Sequence, residues 1–255
     1  MSVFTKQLMH TLLNTLAAKK ARLDAHRPLP PALVKNLEDW FRVELTYTSN
    51  AIEGNTLSRN ETALVIEKGI TIGGKTINEH LEAENHAAAL AFIQGLVNGS
   101  KEQLGISELL GIHRIVLDRI DTHNAGKFRN IAVRIAGSSA VLPNPAKVPL
   151  LIEQFFSWLH TVQEDAPKVA ADAHFKLVTI HPFTDGNGRT ARLLMNLLLM
   201  QTGYPPAIIQ KEERLAYINA IEAAESVGDF STYYPLIYQA IERSLDIYLN
   251  AVEAP

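Results

Sequence analysis

The stretch LVTIHPFTDGNGRTARLLMNLLLMQ, residues 177–201, decides how the chain is read. From Leu193 to Met200 it is apolar nearly all round, with Leu193, Leu194, Met195, Leu197, Leu198, Leu199 and Met200 broken only by Asn196. A helix of that kind belongs inside a core, not on its surface. It starts in DGNGR, where Gly186, Asn187 and Gly188 let successive backbone N–H groups converge on one concave nest. A buried helix start adds unpaired donors and the positive end of the helix dipole. Together these make an anion site.

Arg189 and Arg192, three residues apart, share one face of the first turn. Cations at a helix N-terminus are unfavourable, by up to about 1 kcal/mol each. A pair there points to a concentrated negative charge such as a polyphosphate. Asp185, immediately before the nest, is a hard carboxylate suited to hold Mg²⁺ or Mn²⁺ against phosphate oxygens. His181 ends the run FKLVTI, and Pro182 forces an extended exit. Its imidazole suits a general base that takes a proton from an attacking hydroxyl. The grouping reads as in-line transfer assisted by a metal.

Working outward, the 255 residues are 47% hydrophobic, enough for a real core, in one large domain or in one domain with a helical extension. A net charge of −3 gives no field that would draw the whole molecule onto nucleic acid or an anionic membrane. Cysteine is absent, which excludes disulfides, thiolate metal sites and cysteine nucleophiles. No apolar run approaches membrane-spanning length and the N-terminal residues lack a signal core, so a cytoplasmic location is expected.

Helical periodicity dominates, with helices expected over 4–23, 31–53, 59–67, 78–96, 106–119, 149–162, 170–180, 188–201, 211–224 and 231–251. One β segment is expected: Ile131, Val133 and Ile135 alternate, GSS turns, and Val141 and Leu142 return as a short hairpin. GITIGGKT, residues 69–76, matches the phosphate-loop pattern letter for letter. That loop requires a buried parallel strand before it, whereas NETALVIEK reads as a helix, so the match is read as a turn between helices.

The run HPFTDGNGRTAR, His181–Arg192, carries the full signature H-x-F-x-[DE]-G-N-G-R-x-x-R, and here the chain resembles the Fic family. GKFRN (126–130), GYPPAII (203–209) and SNAIEGNTL (49–57) extend the likeness over roughly residues 40–240. The resemblance implies an all-α fold with a Fic-type helical core and one β-hairpin flap. It implies a protein adenylyltransferase that moves AMP from ATP to a Ser, Thr or Tyr hydroxyl of a protein substrate, itself among the candidates. In that likeness His181 is the base and Asp185 the metal ligand. Gly186, Asn187 and Gly188 cradle phosphates, Arg189 and Arg192 hold the β and γ groups, and Phe183 anchors the loop. The hairpin, through Val133, Ile135, Val141 and Leu142, would clamp the target by strand addition. Tyr217 resembles an aromatic of the adenine pocket; ordinary helix packing is the other reading of it. The intact GNGR favours nucleotidyl transfer over the family's phosphorylating branch.

Glu53 sits at the negative end of its helix dipole, with Gly54 as a natural terminator. SNAIEG also matches [ST]-x-x-x-E-[GN], the inhibitory motif of Fic proteins with an N-terminal inhibitory helix. By that likeness Glu53 pairs with Arg192 and excludes the γ-phosphate, Ser49 helps fix the helix end, and the enzyme is autoinhibited. The expected organisation is a helical region over 1–100 carrying motif 49–54, then a catalytic core over 101–255. Removal of AMP from modified proteins at the same site is the alternative activity; a catalytically silent interaction module is a rival class. Residues before Pro28 read either as a brace for the Glu53 helix or as a homodimer surface.

Overall fold

In the structure, a computed structural model, residues 3–135 and 140–253 are described, with side chains from residue 7 onward. Those residues form ten α-helices: α1 (Val3–Ala25), α2 (Pro31–Ile52), α3 (Arg59–Lys68), α4 (Ile77–Gln94), α5 (Ile106–Val116), α6 (Val148–Thr161), α7 (Ala166–Ile180), α8 (Asn187–Gln201), α9 (Arg214–Val227) and α10 (Tyr233–Glu253). The all-round apolar α8 lies in the core, with Leu193, Leu194, Met195, Leu197 and Leu199 sealed from solvent. It pairs with α7 along its length, and α2, α4 and α5 also pack on it. Outside, α1 runs along α10, with Lys19 on Glu242 and Asp246 and Arg22 on Glu253.

The turn between α3 and α4 shows why the phosphate-loop match is incidental. A helix precedes it, and Gly69 ends that helix in the left-handed region (φ 63°), where glycine carries no Cβ penalty. Thr76 then opens α4 in a capping box with Glu79. Lys75 is spent on the Thr56 carbonyl (2.6 Å) and hydroxyl (3.0 Å).

The expected β-hairpin is not formed. Among the described residues there is no strand; 132–135 and 140–144 are irregular, and the GSS turn lies outside the described residues. A two-stranded ribbon needs a packed face to persist, and here Ile131 and Val141 face solvent. The backbone is held another way. Arg129 donates to the carbonyls of Ile131 (3.2 Å) and Pro143 (2.7 Å), so one guanidinium ties the two flanks together. Val133, Ile135 and Leu142 are half-buried and Val141 is exposed, without the ladder that strand addition requires.

No helix among the described residues is long and apolar enough to cross a membrane. The last two turns of α2 depart from ordinary amphipathicity. Glu44, Thr46, Thr48, Ser49 and Asn50 are all buried there. Asn50 donates to the Glu82 carbonyl, and Asn55 to the Glu79 carbonyl and the Glu82 carboxylate, which fastens this end of α2 to α4.

Candidate active site

The site is the link between α7 and α8. His181 ends α7 in the left-handed region, φ 49° and ψ 60°, and Pro182 prevents the helix from continuing. The His181 Nδ1–H points at the Val178 carbonyl (3.3 Å), which leaves the lone pair on Nε2. Burial is the main cause that holds this imidazole below its ordinary pKa, and the Arg129 charge acts the same way. Phe183 is fully buried, stacked on His113 with centroids 3.6 Å apart. Asn187 closes the loop from the other side: its Oδ1 accepts from the Phe183 N–H and its Nδ2 donates to the Phe183 carbonyl, both at 2.9 Å.

Gly186 is the N-cap of α8 at φ 73°, a turn that a β-carbon would strain. Its carbonyl takes the first helical bond, from Thr190. The N–H groups of Asn187, Gly188 and Arg189 therefore have no acceptor within the helix. Asp185, its side chain 65% exposed, accepts from the Gly186 N–H (2.6 Å) and approaches Arg189 (3.2 Å). Arg189 is buried between Asp185 and Glu82, and its Nε is enclosed with no acceptor. An orphaned buried donor beside unpaired backbone N–H groups suits an incoming phosphate oxygen.

Arg192 lies deeper, 5% exposed. Its Nε donates to the Ser49 hydroxyl (3.0 Å), and Nη2 donates to the Ser49 carbonyl (2.9 Å) and Glu53 Oε1 (2.7 Å). Burial pulls the Arg192 pKa down, but the Glu53 carboxylate and Tyr217 together outweigh it and the net direction is up. Glu53 also lies directly over Gly188, where a β-carbon would meet its carboxylate. The carboxylate at the negative end of α2 thus caps the positive end of α8. Arg214 relieves the end of α2 further by donating to the Ile52 carbonyl (2.6 Å). The structure therefore gathers His181, Asp185, Gly186, Asn187, Gly188, Arg189, Arg192, Ser49 and Glu53 at one helix start.

Tyr217 is 3% exposed; burial holds its pKa up, although Arg192 lies close enough for its charge to favour the ionised form. Tyr233 donates to the Ala171 carbonyl, so His174 gives its Nδ1–H to Tyr233 and accepts the Tyr217 hydroxyl at Nε2 (2.7 Å). Burial pushes His174 down to about 3, so it stays neutral and the relay is fixed.

A sequence model of the Fic/DOC family matches residues 103–199. The protein adenylyltransferase Fic of Aedes aegypti is 40% identical over 221 residues, 86% of this chain and 44% of that protein. The chain spans about half the length of the curated relatives it matches. A solved fragment of Caenorhabditis elegans Fic-1 superposes with a TM-score of 0.89 at 32% identity, covering 98% of this chain and 74% of that one. The chain belongs to the Fic/DOC family. A Fic domain-containing signalling protein of Bacteroides thetaiotaomicron is also similar, with a TM-score of 0.81 and 26% identity over 95% of this chain and 98% of that one.

Within this Fic fold, sequence reasoning missed several supports. His113 accepts the Gly126 N–H at Nδ1 (3.0 Å) and so donates from Nε2 to the Asp185 carbonyl (3.0 Å), holding the loop. Arg129 donates to the His181 carbonyl (2.7 Å), and its N–H to the Pro182 carbonyl (2.9 Å). GKFRN was the only signal for Arg129. Nothing local marks His113, His174, Glu82 or Arg214. The implied magnesium fits the donor set. Mg²⁺ takes one or two carboxylates and fills its shell with water and phosphate oxygens. The accessible Asp185 offers one, and the described residues contain no larger ligand cluster.

Proposed function

We propose that the chain is an autoinhibited protein adenylyltransferase, transferring AMP from ATP to a Ser, Thr or Tyr hydroxyl of a protein, itself included, with release of pyrophosphate. The observation that carries this reading is the meeting, at the start of α8, of three unpaired N–H groups, two buried guanidiniums and an imidazole with a free Nε2 lone pair. The names of the relatives support it.

The triphosphate lies against the N–H groups of Asn187, Gly188 and Arg189 and the guanidiniums of Arg189 and Arg192. The acceptor hydroxyl oxygen attacks the α-phosphorus as the bond to the oxygen bridging to the β-phosphorus breaks. His181 Nε2 takes the hydroxyl proton while Nδ1 keeps its own on Val178. Pyrophosphate leaves with the electron pair of the broken bond, its charge held by the two arginines. Magnesium, when bound through Asp185, supplies charge neutralisation at the phosphate oxygens.

Glu53 occupies Arg192 and lies over Gly188, so a productively placed γ-phosphate and this carboxylate compete for the same groups. Intact mass after incubation with ATP and Mg²⁺ tests the reading. Glu53→Gly gains the mass of AMP faster than the wild type, and His181→Ala gains none in either background. No gain in a folded Glu53→Gly would sink the autoinhibition. Without its partner Arg192 is a poorly compensated buried charge, costing about 1–3 kcal/mol given that Glu53 is partly exposed. ATP should therefore raise the melting temperature of Glu53→Gly more than that of the wild type.

A second reading, removal of AMP from a modified protein, is favoured by the same carboxylate. Glu53 Oε1 is on Arg192, whereas Oε2 has no hydrogen bond among the described residues and can orient a water. Release of AMP from a pre-modified protein by the wild type, lost in Glu53→Gly, checks it.

A further inference from the structure

A cavity of about 770 Å³ opens between α2, the end of α4 and the end of α8, sharing no residue with the nest or His181. That volume suits a small organic molecule. Phe41, Leu45, Leu90 and Tyr248 give it apolar walls. Glu38 and Arg42, one turn apart on α2, also line it. Glu before Arg at this spacing normally pairs on a helix. Here neither has an ion-pair or hydrogen-bond partner among the described residues, and Arg42 Nε is enclosed by protein with no acceptor. Arg27 at the rim is already spent on Asp24 and the Gly203 carbonyl. A planar guanidinium beside an apolar floor recognises a carboxylate attached to an apolar body. The exposed Glu38 next to it repels a second negative charge.

We propose that this cavity binds a small monocarboxylate with an apolar body, and that the occupant loosens the helix that ends in Glu53. Phe41, Leu45, Ser49 and Glu53 follow at four-residue intervals and share one face of α2. A molecule wedged under Phe41 and Leu45 lifts the face that, further along, seats Ser49 and Glu53 on Arg192. The loosening, unlike the binding, rests on the autoinhibited transfer proposed above.

Titration calorimetry on the full chain uses octanoate, its neutral isostere octanamide, and octyl phosphate. Octanoate binds at least about tenfold more tightly than octanamide, the range of a charge-assisted contact, and Arg42→Gln removes that difference. Glu38→Gln narrows the gap between octyl phosphate and octanoate. Val34→Trp, which fills the cavity from its edge, abolishes all binding. Equal binding of octanoate and octanamide, octanoate binding unchanged in Arg42→Gln, or no heat at millimolar ligand overturns the site. Octanoate also speeds AMP incorporation in the wild type and does so in neither Arg42→Gln nor Glu53→Gly; binding without that acceleration overturns the loosening. If Glu53→Gly itself gains nothing over the wild type, autoinhibition is what fails, and calorimetry still decides the cavity.

Discussion

At the scale of single residues, the protonation of His181 sets the acid limit of the proposed reaction. A base works only when neutral, and burial holds this imidazole below its ordinary value. The rate should rise with pH on a limb whose midpoint lies below about 6.5, the unperturbed imidazole value, and be flat above it. A pH profile of AMP incorporation by Glu53→Gly measures the limb; a midpoint above that value would contradict the assignment. Arg129→Gln removes charged hydrogen bonds to the His181, Ile131 and Pro143 carbonyls, each worth about 1.5–3 kcal/mol. Incorporation should fall at least tenfold, roughly 1.4 kcal/mol, in a variant that still unfolds cooperatively. His181, Asp185, Arg189 and Arg192 were legible because a short local pattern places all of them within twelve residues, on the α7–α8 link and the first turns of α8. Arg129 and His113 were not, because each acts by closing on a loop more than fifty residues away in the chain.

Among the elements, helices with strong punctuation were read well and the segment without it was not. Pro31, Ser58 and Thr76 mark the starts of α2, α3 and α4 by chemistry that needs no tertiary partner. The alternation of Ile131, Val133 and Ile135 is a strand pattern only where a second surface covers one face, and here Ile131 is exposed and Val133 and Ile135 are only half-buried. Thr76→Ala removes a capping box and should lower stability by about 1 kcal/mol, read from a urea midpoint. Lys75→Ala should leave AMP incorporation within about twofold, because the lysine ties α4 to Thr56 rather than to phosphate.

For the molecule as a whole, the burial of imidazoles governs behaviour in acid. His86 and His174 are pushed down to about 3 and His113 to about 4, in each case chiefly by burial. Between those values and the ordinary one, the unfolded chain binds protons that the folded chain does not. Folding free energy is then fully present above about pH 6.5 and is lost as pH falls, at a rate approaching 4 kcal/mol per pH unit for three groups. Against a typical total of about 5–15 kcal/mol, acid unfolding should begin well above pH 4. Melting temperatures from pH 7 to 4 measure it, and a flat curve would contradict the burial of these rings. The all-round apolar α8 announced in advance that it lies inside a core; that three histidines would be buried was not visible, since no local pattern separates a buried imidazole from a surface one.

The backbone at position 181 sits where an L-residue is disfavoured and glycine is at ease. Replacing His181 by glycine would remove the ring but also relax its backbone. The inactive protein should therefore melt no earlier than the active one. The base is held in a posture that the chain would adopt more easily without it.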